Sequence, residues 1–460
     1  MAKEDPETNF SEWYNDIIER TGLTDKRYPV KGLNVWPPYG WKLMRLIDER
    51  IRKHFEDFGY QEVYFPSLIP KSQFNKEAEH IKGFTSEVYW ITKGGDNELD
   101  EQLVLRPTSE TAMYPIFSLW IRSHADLPLK TYQIVNVFRY ETKQTRTFIR
   151  VREIHFIEGH TVHDSYKDAE KQIADDIEIW KRVSEDIAVP YIMGKRPDWD
   201  KFPGAYYTIG ADTFFPSGRS LQIATIHQYK DNFAKPYEIK FVDENGNTKY
   251  AHQTTFGISE RLIASIVGIH GDKKGLIIPP RVAPIQIVIV PIPGEGVTEY
   301  SREIFEELES IKIRVKLDER DQYTPGWKFN DWEEKGVPLR LEIGKREVSE
   351  GKITYAKRTG GKASMPKEEF MHKVNSLLEE IQSELYSRAK ERINSYIKPL
   401  HSLEGEMDFY PNYVYWCGEK SCADVIEEKT GKSILSTTEG FGKCIVCGRE
   451  GQKTIISKKY

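Results

Sequence analysis

The sequence predicts an α+β domain built on a mostly antiparallel sheet over residues 1–282, a doubly wound α/β domain over 283–385 and a small α/β segment over 386–460. Three observations carry this. Up to about Gly275, β-rich runs follow one another across polar turns with few helices between them, as in an antiparallel sheet. After the proline-rich stretch Leu276–Pro284 the pattern becomes strand, helix, strand. All four cysteines fall in the last segment.

A chain of 460 residues exceeds the ~250–300 at which one core stops growing, so several domains are expected. With 39% hydrophobic and 30% charged residues it is globular in composition and unlike a disordered tail. No run approaches the ~18 apolar residues of a membrane span, and MAKEDPETNF lacks the layout of a signal peptide. The expectation is a cytoplasmic protein without a membrane partner. A net charge of -5 does not mark a nucleic-acid binder, but the distribution is uneven. Between Lys335 and Lys362 eight basic residues face three acidic ones.

Leu43, Met44, Ile47, Ile51, Phe55 and Phe58 fall at helical spacing, and Gly59 reads as the cap. Glu62–Ile69 is β-rich but broken by Pro66, which suits an edge or interface strand. Further strands are expected at Leu103–Leu105, Tyr132–Arg139, Arg150–Ile157 and Tyr237–Val242. Ile285–Ile292 reads as a strand buried on both faces. Val297, Tyr300, Ile304, Phe305, Leu308 and Ile311 form a helical stripe, and Ile313–Leu317 alternates, completing a βαβ unit. Val337–Ile343 adds a strand, and Met371–Ile397 is helical and charged.

Cys417 and Cys422 form C-x4-C, 21 residues intervene, and Cys444 and Cys447 form C-x2-C. Two short knuckles joined by such a loop supply the four soft ligands of a tetrahedral Zn²⁺. Two disulfides or scattered thiols are the alternatives, the first disfavoured in a reducing compartment. Four cysteine ligands close the site, so one structural Zn²⁺ per chain is expected.

The helix with GYQEVYFPSLIP (Gly59–Pro70), FRYETKQTRTFIRVRE (Phe138–Glu153) and FGISERLI (Phe256–Ile263) resemble, in order, motifs 1, 2 and 3 of the class II aminoacyl-tRNA synthetases. The intervening stretches look like the prolyl enzymes of archaeal and eukaryotic type, over nearly the whole chain. The resemblance implies the class II catalytic fold, an anticodon-binding α/β domain and a zinc-binding C-terminal domain. It also implies ATP with Mg²⁺, L-proline and tRNA(Pro) as substrates, and a homodimer through motif 1.

Physical chemistry supports the same reading. Attack of a carboxylate on the α-phosphate of ATP builds negative charge that fixed guanidinium groups stabilise. Arg139–Arg152 contains Arg139, Lys143, Arg146, Arg150 and Arg152 against Glu141 alone, although a solvated hairpin face would look similar. By resemblance Arg139 holds the α-phosphate and the substrate carboxylate, Glu141 the adenine amino group, and Arg261 the γ-phosphate. Ser259 lies near Arg261, and Arg150 and Arg152 complete the ATP-binding loop. Arg139 and Arg261 are the expected catalytic residues. Taken alone, Arg261 could be a helix-surface arginine.

RPTSE (Arg106–Glu110) places Thr108 and Glu110 two apart, on one side of an extended segment, where they could take a cationic amine. TSE could equally begin a helix. By resemblance Phe156, Glu158 and His160 of FIEGHTVH line the amino-acid pocket; Glu158, His160 and His163 as metal ligands are the weaker reading, since no further ligand follows at metal-like spacing. KFPGA (Lys201–Ala205) resembles the loop that packs an aromatic ring, here Phe202, on the pyrrolidine; Pro203 stands where the family commonly has alanine. Gly218–Ile239 resembles the segment approaching ribose and substrate, mapping those roles onto Gln222, Thr225 and His227. A strand with alternating polar residues would look the same.

The basic window, with Arg340, Lys345, Arg346, Lys357 and Arg358, lies in the expected anticodon-binding domain and is the candidate tRNA surface. Threonyl, glycyl or histidyl enzymes share the three motifs, and RPTSE, FIEGHTVH and KFPGA are the discriminators. A non-catalytic RNA-binding paralogue is the alternative of another class, opposed by the retained Arg139, Glu141 and Arg261. About 100 residues separate motifs 2 and 3, too few for a large editing insertion.

Overall fold

The computed structural model describes residues 4–76, 86–142 and 144–460; Lys143 of the basic loop lies outside them. Helix Pro38–Asp57 starts on a proline, whose fixed φ suits the first turn, and ends before Gly59 at φ +84°. Of its stripe, Leu43, Met44, Ile47, Ile51 and Phe55 are fully buried, as the spacing predicts, while Phe58 is the C-cap and only partly buried.

That stripe packs on one face of an eleven-stranded sheet. Gln61–Glu62 lies at the edge, followed in space by Leu129–Phe138, Glu153–His163, His252–Ser259, Arg219–Lys230, Tyr207–Phe214 and Ile192–Lys195. Apart from the parallel edge strand, these neighbours are antiparallel. The register sorts side chains into rows. Tyr132, Gly159, Phe256, Ile226 and Ile209 stand directly opposite one another. Phe55 lies on this face, its ring 5.1 Å from Tyr132 and 5.4 Å from Phe256. Gly159 keeps the helix close: a Cβ there would sit 2.8 Å from Phe55. With a period of two, the adjacent rows face the other side and build the site.

Three expected strands differ. The segment around Pro66 splits into Gln61–Glu62 and Leu68–Pro70, because proline cannot donate to the ladder. Leu103–Leu105 is the end of Asn97–Leu105, which pairs with Leu68–Pro70 and Tyr89–Gly94 in a separate small sheet. Tyr237–Val242 is strand only over Lys240–Val242.

In the second domain Val315–Leu317, Ile287–Pro291 and Leu339–Ile343 are parallel, and the hairpin Lys352–Lys357 and Lys362–Pro366 continues the sheet antiparallel. Ile287 and Ile289 feed one core and Val288 and Val290 another, so the central strand is buried on both faces. Helix Lys367–Tyr396 runs straight through the boundary expected at 385/386. The segment after it is not a detached lobe. Its strands Ser433–Lys443, Glu450–Lys459, Asn412–Trp416 and Lys398–Pro399 extend the catalytic sheet, through Thr437 opposite Lys195 and Lys458 opposite Arg219. No helix of the described residues is long and apolar enough to cross a membrane.

Candidate active site

Two cross-strand rows on one face of the sheet supply, through Gly257, Thr225, Thr255, His227 and Thr208, the sheet side of a cleft of about 430 Å³. One row is Gln133, Glu158, Gly257, Thr225 and Gly210; the other is Thr131, His160, Thr255, His227 and Thr208. Gly257 opens the floor, since a Cβ there would come within 3.2 Å of both Phe156 and Thr225 Oγ1. Thr108, Glu110, Arg139, Glu141, Arg150, Phe156, Phe202, Gln222, Thr225, His227, Ser259 and Arg261 all line this cleft. Residues spread over some 150 positions of sequence are thus brought together.

Glu110 reconciles the two readings of RPTSE: it is the first residue of helix Glu110–Trp120 and it faces the cleft. Thr108 Oγ1 donates to its Oε2 at 2.6 Å and Tyr229 Oη to its Oε1 at 2.8 Å. Both oxygens are therefore fixed in place. The Arg139 Nε donates to Pro107 O at 3.1 Å, which ties motif 2 to this corner.

Arg261 opens helix Arg261–His270, and its Nε and Nη1 donate to Ile149 O at 2.9 Å and Gln222 O at 3.0 Å. Burial, with Arg139 and Arg150 beside it, pulls the Arg261 guanidinium down to about 10. Burial also lowers Arg139. Three partly exposed guanidinium groups, Arg150 among them paired with Glu141, converge on one cleft, and their mutual repulsion favours a bound anion. Arg150 Nη1 pairs with Glu141 Oε2 at 2.9 Å, and its Nη2 donates to Tyr460 O at 3.1 Å. The last residue of the chain thereby reaches the motif 2 loop, a contact that no sequence pattern announces.

Three expected positions are displaced. Glu158 and His160 share the face of Phe156 but lie fully buried beneath Ser109 and Tyr114, outside the cleft lining. Glu158 accepts from Ser109 Oγ, from Gln133 Nε2 at 3.1 Å, and bonds His160 Nε2 at 3.1 Å, while Tyr114 Oη meets His160 Nδ1 at 3.2 Å. Burial raises the Glu158 carboxyl, but these partners, His160 foremost, outweigh it and hold it below the usual range. The network braces the floor. Arg152 is the third: it stacks on Tyr140 and donates to Glu141 O at 3.1 Å, shaping the loop from behind.

His227 sits between Thr208 Oγ1 at 2.9 Å and Thr225 Oγ1 at 3.1 Å, with the Phe202 ring 4.6 Å away. Burial, and secondarily His160, pulls it down to about 3, so it is neutral and serves as a hydrogen-bonded wall. Gln133, Ser109, Tyr229 and Thr208 escaped sequence reasoning, because only strand register and the start of the helix bring them here.

The four cysteine sulfurs lie within 4.8 Å of one another, and Cys417 and Cys447 Sγ are 3.7 Å apart. Tetrahedral coordination with Zn–S of about 2.3 Å requires S···S near 3.8 Å, so the cluster fits Zn²⁺. All four are free thiols in this arrangement, and the four sulfurs share one cluster as a common ligand requires. In the second domain Lys345 and exposed Arg346 sit at the start of helix Lys345–Glu350, Lys357 pairs with Glu380 and Arg340 with Glu342. Arg358 departs from expectation. Its side chain is 3% exposed and grips Asp272 at 2.6 Å, bolting the two domains together. Nearby, Tyr323 and Trp327 stack at 3.8 Å, both partly exposed, with Arg320 against them.

The family model for the class II tRNA synthetase core domain (G, H, P, S and T) matches residues 89–270, and that for the anticodon binding domain matches 286–377. The chain is 54% identical to the proline–tRNA ligase of Thermoplasma volcanium over 99% of its own length and 100% of the relative's. It is 53% identical to that of Thermococcus kodakarensis over 96% of each. The structure of Giardia lamblia prolyl-tRNA synthetase in complex with prolyl-adenylate superposes with a TM-score of 0.96 at 32% identity, covering all of both chains. That of the Cryptosporidium parvum enzyme, complexed with halofuginone and AMPPNP, gives 0.95 at 34% identity over 100% of this chain and 99% of that one. With the fold, the three motifs and full-length relatives in agreement, the chain belongs to the proline–tRNA ligase family of class II aminoacyl-tRNA synthetases.

Proposed function

We propose that this cleft carries both half-reactions of proline charging: ATP and L-proline give prolyl-adenylate and pyrophosphate, and the prolyl group then passes to the 3′ end of tRNA(Pro). The observation that carries the reading is one cleft holding a carboxylate with both oxygens fixed, Glu110, beside three crowded guanidinium groups. Glu110 and Thr108 take the cationic secondary amine of proline, and Arg139 takes its carboxylate and the α-phosphate it attacks. Phe202, Phe156 and neutral His227 enclose the pyrrolidine ring, while Glu158 and His160 act one layer deeper by holding the floor. Glu141 receives the adenine amino group, Gln222 and Thr225 the ribose, and Arg150, Ser259 and Arg261 the phosphates, with Arg152 fixing the loop. Mg²⁺ accompanies the ATP phosphates.

No protein nucleophile is needed, because the substrate carboxylate attacks first and the tRNA hydroxyl second. Catalysis rests on positioning and on charge stabilisation by Arg139 and Arg261. The four cysteines hold one structural Zn²⁺. Arg340, Lys345, Arg346 and Lys357 form the basic tRNA surface, and the Tyr323–Trp327 pair offers bases a stacking platform. Tyr64, 79% exposed, with Leu68 and Trp120 around an apolar groove beside the edge strand, supports a homodimer through motif 1. The protein works in the cytoplasm. Charging of a tRNA(Pro) transcript with labelled proline tests the proposal; failure to charge it while a tRNA of another specificity is charged refutes it.

A further inference from the structure

The C-terminal cysteine segment touches the cleft on its proline side as well as at Arg150. The wall there is the loop from Asp198 to Pro203, of which Asp200, Lys201, Phe202 and Pro203 line the cleft. Within the catalytic domain it is held by bonds that include Phe202 N to Thr208 Oγ1 at 2.9 Å, Ala205 N to Phe202 O at 2.9 Å and Asn232 Nδ2 to Gly204 O at 2.9 Å.

A second set of contacts comes from the cysteine segment. Trp199 packs edge-on against Trp416, the residue before Cys417, with ring centroids 5.7 Å apart. Lys420, between Cys417 and Cys422, places its Nζ over the Trp199 ring, 4.6 Å from the centroid. Lys459 Nζ pairs with Asp200 Oδ2 at 2.7 Å. Just upstream, buried Arg196 donates to Leu435 O at 2.9 Å, and Thr437 stands opposite Lys195. Gly194 is required there, since a Cβ would meet Thr437 O at 2.3 Å. Trp416 is itself fixed, buried and donating from Nε1 to Glu419 O at 2.9 Å. The first cysteine knuckle and the final strand thus clasp the loop that presents Phe202.

We propose that Trp199, Trp416 and Lys459 are positioning residues for proline recognition: through these three side chains the cysteine segment sets the height of the Phe202 loop over the amino-acid pocket, a role separate from the contact of Tyr460 with Arg150 on the ATP side. The inference rests on the reading of the cleft as a proline-activating site. Distance gives it force, because a loop misplaced by about 1 Å can cost two orders of magnitude in rate.

Trp199 is the residue to change, being 41% exposed and outside the cysteine site. In proline-dependent ATP–pyrophosphate exchange with the full chain, Trp199→Ala is expected to raise the proline KM three- to ten-fold and to leave the ATP KM within two-fold. Trp199→Phe, which keeps a ring against Trp416, should restore most of the loss. In a Phe202→Ala background Trp199→Ala should add almost nothing, since the clasp acts through Phe202. Lys459→Met, a milder change at a half-exposed pair, should move the proline KM about two-fold in the same direction and serves if Trp199→Ala does not fold. An unchanged proline KM in both variants, a parallel rise in both KM values, or an undiminished effect in the Phe202→Ala background would overturn the clasp. Absence of proline-dependent exchange in the unmodified chain would instead overturn the reading of the cleft.

Discussion

Replacing Glu110 with glutamine isolates the charge proposed to meet the substrate amine. Its two oxygens are fixed by Thr108 Oγ1 at 2.6 Å and Tyr229 Oη at 2.8 Å, so little reorganisation accompanies binding. A unit-charge pair about 3 Å apart is worth roughly 5 kcal/mol at an effective dielectric of about 20. Truncating one partner of a buried, hydrogen-bonded pair loses about 2–5 kcal/mol. Glutamine keeps the shape and one acceptor, which places Glu110→Gln at the lower end, about 2–3 kcal/mol, or roughly 30- to 150-fold in kcat/KM for proline. The loss should appear in the proline KM, with the ATP KM within two-fold. Stability should barely change, because both hydroxyl partners can turn toward a neutral amide. Steady-state pyrophosphate exchange with each substrate varied in turn reads this directly. A proline KM within three-fold of the parent, or an equal rise in the ATP KM, would refute the assignment of the amine to Glu110.

Phe202→Ala should cost proline more than alanine, since only proline's ring packs on it; one methylene is worth about 1–3 kcal/mol, so alanine and cysteine should be activated measurably by the parent. Equal losses for both substrates in exchange assays would show that Phe202 merely supports its loop. Cys444→Ser should leave three sulfur ligands, release zinc measured by metal analysis and lower the melting temperature; one zinc still bound per chain with unchanged melting would exclude the four-cysteine site. Asp176, buried with Tyr60 Oη at 2.7 Å, is pushed up to about 7, chiefly by burial. Because its folded value lies above its unfolded one, it costs stability as pH rises from about 4 through 7. Asp176→Asn should therefore be more stable to denaturant unfolding than the parent at pH 8, by up to roughly 4 kcal/mol, with the gap closing toward pH 4; a gap that does not change with pH would contradict this.

Much of the fold was legible because its signals are local. The apolar stripe from Leu43 to Phe55 and the two-faced strand Ile287–Pro291 are periodicities that burial alone enforces, and both appear as read. The union of the cysteine segment with the catalytic sheet was not legible, because it depends on Thr437 meeting Lys195 and Lys458 meeting Arg219, pairings some 240 residues apart. The cleft divides in the same way. Arg139, Glu141 and Arg261 could be placed from motif resemblance, and strand alternation puts Thr225 and His227 on one face. Depth could not be read. Glu158 and His160 have the correct face but are roofed by Ser109 and Tyr114, whose helix joins them only in three dimensions. Arg358 looked like any surface arginine in a basic window; its burial follows from Asp272, which belongs to the other domain.

The most direct measurement is amino-acid-dependent exchange of pyrophosphate into ATP by the purified chain, run separately with each of the twenty amino acids. Proline should support the highest kcat/KM, with cysteine and alanine following at levels set by packing alone, and Arg261→Lys should lower the proline rate about 10²-fold or more through loss of the guanidinium fork. Exchange driven best by threonine, glycine or histidine, or no exchange with any amino acid, would contradict the account.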